Sequence, residues 1–112
     1  MGFVFCYITT SSEKEAFTLA RHLLGKKMIG CANVFPVTSF YSWNRKIKTG
    51  KEWVLLAKTE RKYASVVQRE VEQKHSYETP CVTIIPVSPN VRYATWLSAQ
   101  LGTKKVSAKG RG

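Results

Sequence analysis

The sequence predicts an α+β fold: a ferredoxin-like, split β-α-β antiparallel sheet with an extra C-terminal helix. Three observations lead to this class. Short runs rich in apolar, β-branched and aromatic residues indicate four strands. Two longer segments with apolar residues at helical spacing indicate helices placed between strands. The resulting order is strand, helix, strand, strand, helix, strand, followed by a short helix.

The N-terminal part of the chain gives the clearest signals. The run Phe3-Val4-Phe5-Cys6-Tyr7-Ile8 predicts a strand that is buried on both faces. Ser12, with Glu15 three residues later, has the pattern of a capping box, and apolar residues then recur at helical spacing. The glycine and two lysines at 25–27 are typical of a helix C-terminus, so the first helix is predicted to end there.

A long hairpin is predicted in the middle of the chain. The second strand is expected from Ile29 to Val37, and Pro36 within it favours a sheet edge or a bulge. Residues 39–46 and 53–58 are then expected to flank the hairpin. Both segments are rich in residues that favour strands.

A second helix and a last strand follow the hairpin. Thr59 is expected to cap a helix whose apolar face is formed by Tyr63 and three valines and which ends at His75. Residues 81–87 predict the last strand. Residues 91–101 predict a short closing helix.

Length and composition favour a small soluble domain. The 112 residues, with 44% hydrophobic and 22% charged, are predicted to form one domain over residues 1–102. Residues 103–112 are basic and contain Gly and Ser, which predicts a disordered tail. No apolar run is long enough to span a bilayer, and the N-terminus lacks the pattern of a secretory signal. Three cysteines without Cys-x-x-Cys spacing predict reduced thiols, so we expect a cytoplasmic location and no membrane partner.

The net charge of +11 does not by itself indicate a nucleic-acid-binding protein. Part of it lies in the C-terminal tail, and the rest is scattered over both helices and the hairpin. No RNP-like motif or recognition helix accompanies it, so no specific nucleic-acid partner is expected. The sequence also lacks a Ser-His-Asp set, a phosphate-binding loop and a Gly-rich dinucleotide turn, and we do not expect an enzyme.

The predicted sheet has an apolar face that the two long helices leave uncovered. Both helices fall on one side, yet the first strand and the run Trp53-Val54-Leu55-Leu56-Ala57 are apolar on both faces. An exposed face of this composition would promote aggregation. A second copy of the chain is the simplest cover, and we therefore predict an obligate homo-oligomer.

The segment His75-Ser76-Tyr77-Glu78-Thr79-Pro80, followed by Cys81, brings imidazole, carboxylate and thiol together in sequence. These are ligand types for borderline and soft transition metals. The alternative is a helix C-terminus and a turn into a strand, with His75 facing the negative end of the helix dipole. Sequence alone leaves both open.

Five runs of residues resemble the CutA family, the divalent-cation tolerance proteins. They occur in that family's order and near its spacing over residues 3 to about 101. The five are Gly30-Cys31-Ala32-Asn33-Val34, Ser39-Phe40-Tyr41-Ser42-Trp43, Lys58-Thr59, the segment from His75 to Pro80, and Tyr93-Ala94-Thr95-Trp96-Leu97. The resemblance implies a homotrimer with inward-facing sheets, in which each hairpin reaches a neighbouring subunit. The trimers also look like PII signalling proteins, which bind small ligands in clefts between subunits.

The resemblance also implies candidate metal ligands. His75, Glu78 and Cys6 are the candidates for a divalent ion such as Cu or Zn, which folding is not expected to require. Family members with a metal-associated Cys late in the first strand carry it where this chain has Ile8, two residues after Cys6. Glu78 has an alternative role, as an ion-pair partner of a lysine.

A ligand cleft between subunits is expected from the same resemblance. Lys58, beside the expected helix cap at Thr59, is the candidate for holding an anion. Aromatic residues in this set can equally serve plain packing at an interface. The candidate cleft residues are Tyr41, Trp43, Lys46, Lys58, Tyr77 and Trp96.

Two departures from the family pattern concern turns. The usual Trp-x-Gly-Lys at the hairpin turn is Trp43-Asn44-Arg45-Lys46 here, and a non-glycine residue in a left-handed position costs about 1 kcal/mol. A wider turn is therefore expected. The usual His-Pro-Tyr is His75-Ser76-Tyr77, which removes a rigid φ from the turn.

The sequence thus favours a cytoplasmic trimer acting in divalent metal ion (copper-type) binding, tolerance or homeostasis. The alternative is a PII-like signalling or scaffold trimer. Its clefts would take a small anionic ligand or a protein partner.

Overall fold

A four-stranded antiparallel sheet and three helices make up residues 2–102, which are the residues that the computed structural model describes. The elements are β1 (Phe3–Thr10), α1 (Glu13–Gly25), β2 (Cys31–Trp43), β3 (Lys46–Glu60), α2 (Ala64–Lys74), β4 (Val82–Val87) and α3 (Val91–Ala99). The strand order is β2-β3-β1-β4. The predicted α+β class, antiparallel sheet and order of elements are confirmed. The tail predicted at 103–112 lies outside the described residues.

Alternation along β1 separates the two faces of the sheet. Val4, Cys6 and Ile8 are fully buried, while Phe5 and Tyr7 between them are half-buried on the opposite face, since successive strand side chains point to opposite sides. The helices complete the core on the Cys6 side. Their buried contributions are Ala16, Leu19, Ala20, Leu23, Val67 and Val71.

The N-terminus of α1 is capped as predicted, with one change. The Ser12 hydroxyl accepts a hydrogen bond from the Glu15 amide at 3.0 Å. The Glu15 side chain does not return to the Ser12 amide but accepts from the Ser11 amide at 2.9 Å. The carboxylate therefore reaches one residue further from the helix. None of the helices within residues 2–102 is long and apolar enough to cross a membrane.

The predicted cap of the second helix at Thr59 is wrong. Thr59 is a fully buried residue of β3, and its hydroxyl donates to the Met28 carbonyl at 2.7 Å. A short 3₁₀ turn, Arg61–Tyr63, separates the strand from α2. The prediction ended the strand too early because Thr is common both at helix N-caps and in β-strands.

The hairpin strands are longer and more regular than predicted. β2 runs without a break through Pro36, which pairs with Trp53. This is possible because β2 is an edge strand. One side of an edge strand has no neighbouring strand, so a residue without an amide hydrogen is tolerated there. The predicted edge position of Pro36 is confirmed.

The hairpin turn is tight, and the expected wider turn is wrong. Trp43 pairs directly with Lys46, which leaves Asn44 and Arg45 as a two-residue loop. Both have positive φ, 53° and 64° respectively, as a type I′ turn requires. Asn tolerates this region well, whereas Arg has no side-chain feature that favours it. The turn therefore stores strain at Arg45.

The face of the sheet away from α1 and α2 is apolar, as predicted. Phe35 and Ile85 are 38% and 40% exposed there, and the pairing register places Phe5 beside Ile85. The helix α3 approaches one end of this face, where the Lys58 ammonium lies 5.6 Å from the ring centroid of Tyr93. We call this surface the open face.

We predict that Arg45→Gly stabilises the chain, because glycine adopts positive φ without a steric penalty. The free energy of unfolding should rise by about 1 kcal/mol in urea denaturation. Lys46→Gly is the matched control, since Lys46 is not among the positive-φ residues, and it should lower stability. A neutral or destabilising effect of Arg45→Gly would show that the turn is not strained.

Candidate functional site

The His75 side chain ties the turn after α2 to the end of β1. Its imidazole is completely buried. Its Nε2 lies 2.7 Å from the Thr9 carbonyl oxygen, and its Nδ1 lies 3.0 Å from the Tyr77 amide nitrogen. A carbonyl can only accept and an amide can only donate, so Nε2 carries the hydrogen and Nδ1 is the acceptor. Both ring nitrogens are therefore engaged.

Glu15 holds the same turn from the side of α1. Its carboxylate accepts hydrogen bonds from the amide and hydroxyl of Ser11 at 2.9 and 2.8 Å. It also accepts from the amide and hydroxyl of Ser76 at 2.8 and 3.1 Å. Burial acts to raise the pKa of this carboxyl, but the hydrogen bonds outweigh burial and lower it. Sequence reasoning found Glu15 only as a helix cap, because its second partner is distant along the chain.

Glu52 joins the turn to the base of the hairpin. The Tyr77 hydroxyl donates to one oxygen of Glu52 at 2.8 Å, and the Ser39 hydroxyl donates to the other at 2.5 Å. Burial and the neighbouring Glu52 carboxylate raise the pKa of Tyr77, so its hydroxyl keeps its proton. Sequence reasoning missed Glu52. Its signal is the strand register, which pairs Glu52 with Val37 and so places it diagonally across from Ser39. That register can be assigned only when the hairpin turn is known.

A groove of about 770 Å³ lies on the open face beside this network. The hairpin wall carries Tyr41, Trp43 and Lys48, and the opposite wall carries Tyr77 and Glu78. Ligand sites in proteins commonly have volumes of about 300–1,000 Å³. The groove combines aromatic rings with both signs of charge, so it can hold a small molecule that is partly planar and partly charged. The lining also includes Thr9, Gly50, Glu52 and Cys81.

Comparison with known proteins identifies the family. Residues 4–100 match the model of the CutA1 divalent ion tolerance protein family. The divalent-cation tolerance protein CutA of Archaeoglobus fulgidus is 38% identical over 94 residues, which cover 83% of this chain and 92% of that protein. CutA of Thermotoga maritima is 34% identical over 96 residues, 84% of this chain and 94% of that one. This chain belongs to the CutA1 divalent ion tolerance family.

Solved CutA structures share the fold. The A. fulgidus protein, described as periplasmic, superposes with a TM-score of 0.83 and covers 85% of this chain and 94% of that one at 38% identity. CutA1 from Pyrococcus horikoshii gives a TM-score of 0.85 at 28% identity, covering 89% of this chain and 99% of that one. The relatives are named as tolerance proteins and not as enzymes. The predicted family is thus confirmed.

Four of the predicted site residues meet at the groove. Tyr41, Trp43, Tyr77 and Glu78 all line it. Glu78 forms no ion pair with a lysine among residues 2–102, so its alternative role as a salt-bridge partner is not observed there. Lys46 is opposite Trp43 at the hairpin tip, beyond the lining of the groove.

Lys58 and Trp96 lie away from the groove. Lys58 is near the other end of β3, where its ammonium is 5.6 Å from the ring centroids of Phe5 and Tyr93. Trp96 stacks near Tyr93 in α3, with centroids 5.8 Å apart. The expectation of an anion site at Lys58 rested on a helix cap at Thr59. Thr59 is in a strand instead, so no helix N-terminus supports that site.

The three predicted metal ligands are not brought together within one chain. Cys6 is fully buried between the sheet and the helices, and burial raises the pKa of its thiol to about 11, which opposes the thiolate form that binds metals. The His75 nitrogens are both engaged, and Glu78 lies on the exposed groove. Within residues 2–102, no three side chains of the His, Cys, Asp or Glu type form a cluster suited to a metal ion. The described part of one chain therefore does not supply a complete ligand set.

We predict that Glu15 makes the stability of the chain depend on acidic pH. Its pKa in the folded chain is below the ordinary value of 4.5, so the stabilisation is fully present above about pH 4.5. It is lost as the pH falls through the lower folded value. Glu15→Gln should cost about 1 kcal/mol at pH 7 and flatten the decline of unfolding free energy on acidification.

Glu13→Gln is the matched control for this measurement. It removes a carboxylate from the same helical turn that makes none of these hydrogen bonds. Urea unfolding at pH values from 7 down to about 3 gives the two difference curves. Parallel curves for wild type and Glu15→Gln would contradict the role assigned to Glu15.

Proposed function

We propose that this chain acts as a cytoplasmic homotrimer in divalent metal ion tolerance or homeostasis, with copper-type ions among its ligands. The observation that carries the proposal is membership of the CutA1 family over residues 4–100. The proposed role is binding and not catalysis, in keeping with the names of the relatives.

The open face and the hairpin support assembly with further copies. In the isolated chain Ile47, Phe40 and Trp43 are 81%, 72% and 52% exposed. They lie on a hairpin that extends the molecule to 50 Å in one direction against 26 and 24 Å in the others. Apolar side chains in such a protruding position are typical of interfaces that form permanently. A neighbouring subunit would cover both the hairpin and the open face.

The geometry favours Glu78 as the metal ligand with the best access. It lies at the groove and is exposed. His75 can offer only Nδ1, and only after the Tyr77 amide has left it. Cys6 would need to leave the core. The remaining ligands of a complete site would therefore come from another copy of the chain or from water.

A second candidate function is that of a PII-like trimer that binds a small anionic ligand or a protein partner. The groove favours it, because its volume and aromatic walls suit a small molecule without any metal. Calorimetric titration of the metal-free protein with nucleotides and inorganic phosphate tests this candidate. Binding that persists in a chelator would support it, and the absence of any heat change would count against it.

Metal binding is predicted to depend on the turn after α2. Titration calorimetry of the assembled protein should show Cu²⁺ or Zn²⁺ binding tighter than about 10 μM. Glu78→Gln and His75→Ala should each weaken it by at least about tenfold. His22→Ala, which changes the other histidine, is the matched control and should bind as wild type. Wild-type affinity in both Glu78→Gln and His75→Ala would refute this assignment.

Assembly is predicted to depend on the hairpin. Sedimentation equilibrium should give about three times the chain mass of 12.7 kDa. Ile47→Glu should shift the protein towards monomers, because it places a charge in the proposed interface. Leu24→Glu, at a 40%-exposed position on α1, is the control and should leave the mass unchanged. A folded wild-type monomer at micromolar concentration would refute the trimer.

A further inference from the structure

A cleft of about 650 Å³ lies between α1 and α2, on the side of the sheet opposite the open face. We call it the helix cleft. Ser12, Lys14 and Thr18 belong to the wall formed by the start of α1, and Gln73 and Lys74 belong to the wall formed by the end of α2. A neighbouring subunit on the hairpin and the open face would leave this side of the chain in contact with solvent. The helix cleft would therefore stay accessible in the proposed trimer.

Two lysines line the helix cleft, one on each wall. Lys14 and Lys74 are both exposed, and neither forms an ion pair within residues 2–102. Cations without a partner on both sides of a cleft favour a ligand that carries negative charge. The net charge of +11 adds to the attraction of anions towards the chain.

The carboxylates near the helix cleft do not offset these lysines. Among the described residues, Glu15 is the only carboxylate in the lining, and it already accepts four hydrogen bonds from two serines. Glu70 is outside the lining and lies 2.8 Å from the imidazole Nε2 of His22. Glu13, in the first turn of α1, is also outside the lining. The two lysines are thus available to a ligand, whereas the lining carboxylate is engaged.

Neutral polar groups make up much of the remaining lining. The Ser12 hydroxyl accepts from the Glu15 amide at 3.0 Å, which leaves its own hydrogen for another acceptor. The Thr18 hydroxyl and the Gln73 amide group form no side-chain hydrogen bond within residues 2–102. No phenylalanine, tyrosine or tryptophan of the described chain lines the cleft, and its apolar residue, Leu19, is buried. This lining suits a hydroxylated molecule better than a flat aromatic one.

We propose that the helix cleft binds a phosphorylated polyol, such as a sugar phosphate. Lys14 and Lys74 hold the phosphate, and Thr18 and Gln73 bind the hydroxyl groups. A phosphate monoester carries nearly two negative charges at pH 7, which matches two lysines, and lysine is a common phosphate ligand. The proposal requires no metal and does not rest on either of the functions proposed above.

Three probes separate the parts of the proposal in calorimetric titrations of the assembled protein with EDTA present. Glucose 6-phosphate has the charge and the hydroxyl groups, inorganic phosphate has the charge alone, and glucose has the hydroxyl groups alone. We expect glucose 6-phosphate to bind at least about tenfold more tightly than inorganic phosphate, and glucose to give no measurable heat. Equal binding of inorganic phosphate would overturn the polyol class. Failure of glucose 6-phosphate to bind would overturn the site.

A double variant with a charge-matched control tests the location. Lys14→Gln combined with Lys74→Gln should weaken glucose 6-phosphate binding by at least about tenfold, because two charge-assisted contacts are lost. Lys62→Gln combined with Arg69→Gln removes two exposed cations outside the lining and should change the affinity by less than about twofold. Circular dichroism and sedimentation confirm that each variant is folded and assembled.

A second variant tests the location without changing the charge. Thr18→Phe places a large side chain in the cleft and should also weaken binding by at least about tenfold. Ser65→Phe, at an exposed position of α2 outside the lining, should bind as wild type. Unchanged binding in the folded Lys14/Lys74 double variant would overturn the assigned site. An equal loss in its charge-matched control would also overturn it, since overall charge would then explain the binding.

Discussion

The buried imidazole of His75 is the contact on which the candidate site depends. It joins the Thr9 carbonyl at the end of β1 to the Tyr77 amide in the turn after α2. Because the backbone on both sides of the turn is fixed in this way, the Tyr77 hydroxyl reaches Glu52 on the hairpin. Glu15 holds the same turn through Ser76. The groove therefore has a second wall because one histidine side chain satisfies two backbone groups at once.

The sequence was sufficient for the fold where a local pattern had one interpretation. β1 could be predicted because six successive apolar residues exclude a surface segment, and α1 because Ser12 and Glu15 mark its start. The errors arose where a residue type suits two structures. Thr59 favours a cap and a strand equally, and tertiary burial decided for the strand. The turn at Asn44 and Arg45 is tight because the pairing of two long strands outweighs about 1 kcal/mol of strain at one residue.

The candidate site was harder to predict from the sequence than the fold, because it depends on which residues of neighbouring strands are paired. Tyr41, Trp43 and Tyr77 were predicted as cleft residues through the resemblance to the CutA family, but the role of Glu52 becomes apparent only when each strand position is assigned to a face. Cys6 illustrates the opposite case. The resemblance to the CutA family made it a candidate metal ligand, while the alternation of β1 places it in the core. Residues with metal-binding side chains can therefore be proposed as one site only when those side chains are known to lie on the same face of the sheet.

The two proposed activities, metal binding and the binding of a small ligand in the groove, both depend on the Nδ1 atom of His75. The Nδ1 lone pair of His75 can accept the Tyr77 amide or coordinate a metal ion, but it cannot do both. A ligand that packs against Tyr77 in the groove holds the amide in its present place, and so opposes a metal at His75. By linkage, a metal at His75 would weaken that ligand by the same factor. The turn between α2 and β4 would therefore couple the two proposed sites negatively, through the hydrogen bond from the Tyr77 amide to His75 Nδ1.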